Sequence, residues 1–204
     1  MLKIFLVGLS SLLFGALLAT GATDLPVRPG LIGLAALLAS AGLARRYWQR
    51  PRQGHSPGSI ERSLWHGLVS YGLVAGHLAA VLWRIWPAFD LHSLAGHALA
   101  IDSWTLVLGA VISYGIARDP EPREDERDAQ FAARGLRAGH FSLVAMLLVL
   151  LLALGFGEHR MMAGVNPPML AHVLILLLTL QCLIQQVARL RLYDIEARAE
   201  RSDA

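Results

Sequence analysis

The sequence predicts an all-α fold, a polytopic membrane bundle of about six transmembrane helices. Three observations carry that expectation. Apolar residues make up 55% of the 204 positions and charged ones only 16%, whereas a soluble domain carries about 25% charged residues. Six apolar runs recur along the chain, each close to the roughly 20 residues a helix needs to cross a bilayer core. The charges collect between the runs. One integral membrane domain, 1–204, therefore uses up the sequence. The net charge of +3 would suggest a nucleic-acid partner only if it were clustered on a water-facing surface. Here the basic residues flank apolar runs, so nucleic acid is not expected. The lone Cys182 lies within an apolar run and can form no internal disulfide.

The first expected span, 4–20, follows Lys3. Its basic start, apolar centre and Ala19-Thr20-Gly21 ending also fit a secretory signal peptide. A retained first helix is the expectation, because further spans follow and a signal anchor would serve the same insertion role. The second span, 31–48, has Pro29 near its start, where a missing N–H costs little. It closes on Arg45, Arg46, Tyr47 and Trp48, a basic and aromatic interface signature. A polar loop, Gln49–Ser63, leads to the third span, 64–86, whose Trp83 and Trp86 read as an aromatic belt. The fourth span, 94–117, opens with polar residues, His97 and Asp102 among them. A charged connector, 118–138, precedes the fifth span, 139–156. The loop Gly157–Pro168 joins it to the sixth, 169–188, and a basic tail follows.

Fifteen Lys and Arg residues fall on one side of this arrangement, and three (Arg28, Arg84 and Arg160) on the other. That asymmetry predicts a multi-pass protein with both termini cytoplasmic. A loose internal repeat is suggested by three Ala-Gly-His triplets ending at His77, His97 and His140, and by Glu-Arg pairs opening the hairpins at Glu61 and Glu126.

The stretch Arg118–Val144 holds six acidic residues, the largest acidic cluster before the tail. Pro120 and Pro122 keep its start extended. From Glu124 the pattern turns helical, with acids first and Arg134 and Arg137 later, an order that complements the helix dipole. Two roles are open for it: a solvated connector, or a clasp whose acids dock onto Arg45, Arg46, Arg189 and Arg191.

The segment DERDAQFAARGLRAGH, from Asp125, Glu126, Arg127 and Asp128 to His140, leads straight into an apolar span. It resembles a DERD-type motif in small bacterial inner-membrane proteins of unknown function, whose spans form hairpins and end in a short basic tail. The likeness covers Glu124–Tyr193, about a third of the chain. It implies an integral membrane protein and supplies no catalytic residue.

Ionisable residues inside a bilayer are costly and are the natural functional candidates. His66 and His77 lie three helical turns apart on one face, about 16 Å along the axis. His77, His97, Asp102 and His172 are expected to form an outer polar layer, with His66 and His140 in a second, cytoplasmic layer. Asp102 should face the bundle, paired with His97, His172 or Arg84; alternatively it caps a shorter fourth helix that opens at Ser103 and Trp104. Each histidine has the plain reading of a hydrogen-bonded core residue beside any functional one. No nucleotide-binding, hydrolase or metalloprotease motif occurs, so no enzymatic activity, catalytic residue or metal ligand is assigned. The expectation is an integral inner-membrane protein with no cofactor. Its alternatives are a small transporter or channel using the intramembrane Asp and His residues, and a b-type haem electron carrier. The lipid bilayer is the expected partner, and a homo-oligomer stays open.

Overall fold

The structure, a computed structural model, describes residues 1–20, 27–49, 58–86, 90, 92–119, 125–157 and 165–202, the side chains of 47–49 and 201 excepted. Among these, all regular structure is helical: α1 (Leu2–Thr20), α2 (Pro29–Gln49), α3 (Ser59–Ile85), α4 (Leu94–Ala117), α5 (Glu126–Phe156) and α6 (Pro167–Ser202). The stretch expected to be extended at Pro120 and Pro122, the Gly21 side of the signal-peptide alternative and most of the Gly157–Pro168 loop lie outside the described residues.

Five helices are long and apolar enough to cross a membrane, and together they make a membrane-type helical bundle. α2 is not among the five. Arg45 and Arg46 close its apolar stretch at Ala44, which dilutes it. Position nevertheless gives α2 the height of the bundle. Gly30 lies against Asp102 near the start of α4, while Ser40, Leu43 and Ala44 share a cavity with Arg62 and Trp65 near the start of α3.

Two helices run well past their apolar runs. α5 opens at Glu126, so the expected connector 118–138 is helical through its last turns. α6 carries the basic tail on as helix to Ser202. With 31 and 36 residues, these helices reach about 46 and 54 Å at 1.5 Å per residue, beyond a hydrocarbon core of about 30 Å. A capping box starts α5: the Asp125 carboxylate accepts from the Asp128 amide at 2.8 Å, and the Asp128 carboxylate accepts from the Asp125 amide at 3.2 Å.

α3 is the hub. Of its apolar window 56% is buried, against 6% for α5, which leaves most of α5 uncovered by the other helices. α1 runs parallel to α3, since Gly8 meets Leu68 and Gly15 meets Leu73 and His77. α2 runs parallel to α4, with Gly33 on Leu106 and Gly109 on Leu34 and Leu37. α4 and α6 are both antiparallel to α3. Three apolar clusters stack along it, one around Leu64 and Leu68, one around Leu73 and Leu78, and one at Leu82 with Ala100 and Met169.

The helices touch through small residues. A Cβ on Gly76 would collide with the Leu12 carbonyl, and one on Gly15 with the Leu73 carbonyl. A Cβ on Gly135 would collide with the Arg189 stem, and one on Gly139 would come within 2.8 Å of Gln181. Gly72-Leu-Val-Ala-Gly76 and Gly135-Leu-Arg-Ala-Gly139 are thus both small-xxx-small seams. One joins α3 to α1, the other α5 to α6.

Candidate functional site

The polar residues of the bundle gather along α3 at two levels. At the lower level, toward the arginine-rich end, His66 is 4% exposed. Its Nε2 lies 3.1 Å from the Ser113 Oγ on α4 and 3.2 Å from the Ser70 Oγ one turn further along α3. Ser113 donates to the Ala110 carbonyl at 3.0 Å. His66 is therefore a satisfied core histidine, and helical spacing explains why Ser70 reaches it.

At the upper level His77 is 1% exposed, and neither of its ring nitrogens has a hydrogen-bond partner among the described residues. The backbone of Gly15 lies beside the ring but falls short of bonding geometry, and the His172 imidazole on α6 is within electrostatic reach. His172 is 5% exposed, and its Nδ1 lies 2.8 Å from the Pro168 carbonyl. Antiparallel packing sets the remaining register: His66 faces Ser113, so the same three turns along both helices bring His77 level with Asp102.

Asp102 is 6% exposed and faces the bundle. Its partner is Arg28, whose Nε is 3.5 Å from the carboxylate. The carboxyl group also sits against the first turn of α2. A Cβ on Gly30 would meet both Asp102 Cα and Oδ1 at 2.7 Å, so only glycine lets the two helices approach here. A carboxylate at a helix N-terminus is favoured by the unpaired amides and the dipole. The expected partners His97, His172 and Arg84 are replaced because the register brings the start of α2 to Asp102 instead. Arg84 donates to the Ala19 carbonyl at the end of α1. The alternative role, N-cap of α4, belongs to Ser93, whose hydroxyl accepts from the Gly96 amide at 3.0 Å. α4 thus begins two turns before Asp102.

Two expected layer members are elsewhere. His97 is exposed at the start of α4, and His140 is exposed on α5. In all three Ala-Gly-His triplets it is the glycine that is buried. Only the α3 copy turns its histidine inward.

The DERD residues dock on α6, through contacts other than the expected acid-to-arginine pairs. Asp128 is 8% exposed and accepts from the Tyr193 hydroxyl. Arg127 donates to Glu196 at 3.1 Å and lies 5.8 Å above the Tyr193 ring. Phe131 packs edge-on against that ring at 4.9 Å. Glu126 is exposed and makes no ion pair among the described residues. Asp125 is taken up by the cap.

Between the two histidine levels lies a cavity of about 180 Å³, bordered by Ser70, Tyr71, Tyr114 and Thr179. Val74, Val107 and Val111 make the rest of its lining largely apolar, and neither histidine borders it. Among the described residues, no three His, Cys, Asp or Glu side chains converge as a metal site requires. α1 and α3 meet backbone to backbone at Gly15, beside His77. The sequence reading missed the two Gly-xxx-Gly seams and Arg28, although the repeated GLxAGH at Gly72 and Gly135 was a legible signal for the seams. No family model, curated protein or solved structure matches this chain.

Proposed function

We propose that this chain is a proton-translocating protein of the bacterial inner membrane, with both termini cytoplasmic and a buried relay along α3. The observation that carries the reading is His77, a fully buried imidazole whose two nitrogens make no hydrogen bond of normal geometry among the described residues. An unsatisfied buried polar group costs about 1–3 kcal/mol, and such a group within a bilayer is the usual mark of an ion or proton path. In this reading Asp102 receives a proton near one face and His77 accepts it on a ring nitrogen. Ser70, which borders the cavity between the two levels and bonds to His66, continues the path to His66. The arginine asymmetry of the loops supports the sidedness. The relay needs no haem, and the purified protein is expected to show no Soret band.

The test is proton flux in liposomes loaded with a pH-sensitive dye. Wild-type protein is expected to dissipate an imposed pH gradient faster than empty vesicles, and His77→Leu is expected to return the rate to the empty-vesicle level. Wild-type vesicles as tight as empty ones, or a His77→Leu protein as leaky as wild type, would defeat the proposal.

A further inference from the structure

We infer that a small polar cavity at the arginine-rich end of the bundle binds a phosphate-type oxyanion, supplied by a lipid headgroup or by free phosphate. The cavity, about 100 Å³, lies between the start of α3, the end of α4 and the lower part of α6. Ser59, Ser63, Tyr114, Arg118, Asp119 and Arg189 line it.

Its hydrogen-bond balance is lopsided toward donors. The Arg189 Nε and the Ser59 hydroxyl are buried atoms with no partner among the described residues. Neither Arg118 nor Arg189 takes part in an ion pair there. Among the described lining residues two guanidinium groups stand beside one carboxylate, Asp119. The start of α3 adds to this: Gly58 gives it no side-chain cap, and the first amides of a helix have no intrahelical acceptor. A buried donor left unpaired is costly. A multi-oxygen anion would satisfy several donors at once, and guanidinium forks match phosphate geometry.

Size narrows the ligand. The cavity of about 100 Å³ has room for one tetrahedral oxyanion. Basic pockets between membrane helices at the level of the headgroups take anionic lipids, and α3 starts at that level. The site is at the other end of α3 from His77 and does not depend on proton transfer.

The experiment uses the full chain in non-ionic detergent. Native mass spectrometry would compare short-chain phosphatidylglycerol with phosphatidylcholine, and thermal unfolding would compare potassium phosphate with potassium chloride at equal ionic strength. Wild type is expected to retain one phosphatidylglycerol in preference to phosphatidylcholine, or to be stabilised by phosphate. The arm that responds identifies the source, and phosphate displacing the lipid assigns the site to the free anion. Arg118→Gln with Arg189→Gln should weaken binding about tenfold or more, the loss of at least one charge-assisted hydrogen bond, while Arg46→Gln should leave it unchanged. If the double variant does not fold, Ser59→Ala should still weaken binding several-fold. No preference and no phosphate response in wild type would overturn the inference. So would binding that all the variants share equally.

Discussion

His66 and His77 occupy one face of α3, yet their ring nitrogens meet different surroundings. His66 is bonded to Ser70 and Ser113, and since Ser113 keeps its bond to the Ala110 carbonyl, His66→Leu would strand the buried Ser70 hydroxyl and should cost about 1–3 kcal/mol. His77 has no such partners, so His77→Leu should leave the melting temperature unchanged or raise it. A His77→Leu protein that melts as early as His66→Leu would mean that His77 is bonded in the folded state, and would weaken the case for a relay. Asp102 poses a similar choice between charge and shape. Its partner Arg28 has a side chain 46% exposed, and such pairs contribute about 0–1 kcal/mol. The acceptor it offers to the start of α2 should matter more. Asp102→Asn is therefore expected to lose little stability and Asp102→Leu clearly more, read as melting temperature in detergent. Equal losses would assign the stabilisation to the charge.

Helices in lipid gain little from burying apolar surface against each other, so close packing through small residues decides which ones associate. In this bundle the closest approach is α1 on α3 at Gly15 and Gly76, where any Cβ must displace backbone. Gly115, near the end of α4, has open space around it. Gly76→Ala should lower stability by at least the 1–3 kcal/mol typical of overpacking. Gly115→Ala should raise it by about 0.5–1 kcal/mol, from helix propensity alone. Opposite shifts in melting temperature are the expected result; shifts of the same sign would mean that this seam does not hold the bundle. α5 depends on its seam for another reason: with so little of its apolar window buried, it is held by Gly135, Gly139 and the contacts of Asp128 and Arg127 on α6.

At the scale of the molecule, parallel α1 and α3 require the chain to return across the bundle between them, and α2 makes that return. Its composition falls short only because two arginines enter its last turns, where a span can end in headgroups. Sidedness rests on the arginine count and is open to direct measurement. With Cys182 replaced by serine, a cysteine at Asp90 is expected to react with an impermeant thiol reagent added to intact cells. One at Gln130 is expected to react only after lysis. Both positions are exposed. Labelling of position 130 from outside would reverse the topology.

Composition and apolar run length determined the all-helical class and pointed to the five helices long and apolar enough to cross a membrane, while α5 and α6 run several turns past their apolar runs. They work because a backbone in lipid must satisfy its own hydrogen bonds, which leaves the helix as the local solution. The start of α5 was legible too, because a cap is a contact between residues three apart. What lay beyond the sequence were the contacts between helices. Periodicity placed His66 and His77 on one face of α3, but only the register against α4 gave His66 the Ser113 hydroxyl, while His77 meets no hydrogen-bond partner among the described residues. The packing of α2 on α4 gave Asp102 to Arg28 and the first turn of α2, and the packing of α5 on α6 left His140 at the surface. Helix register in this bundle is set where glycines let two backbones touch, and each such contact joins residues far apart in the chain.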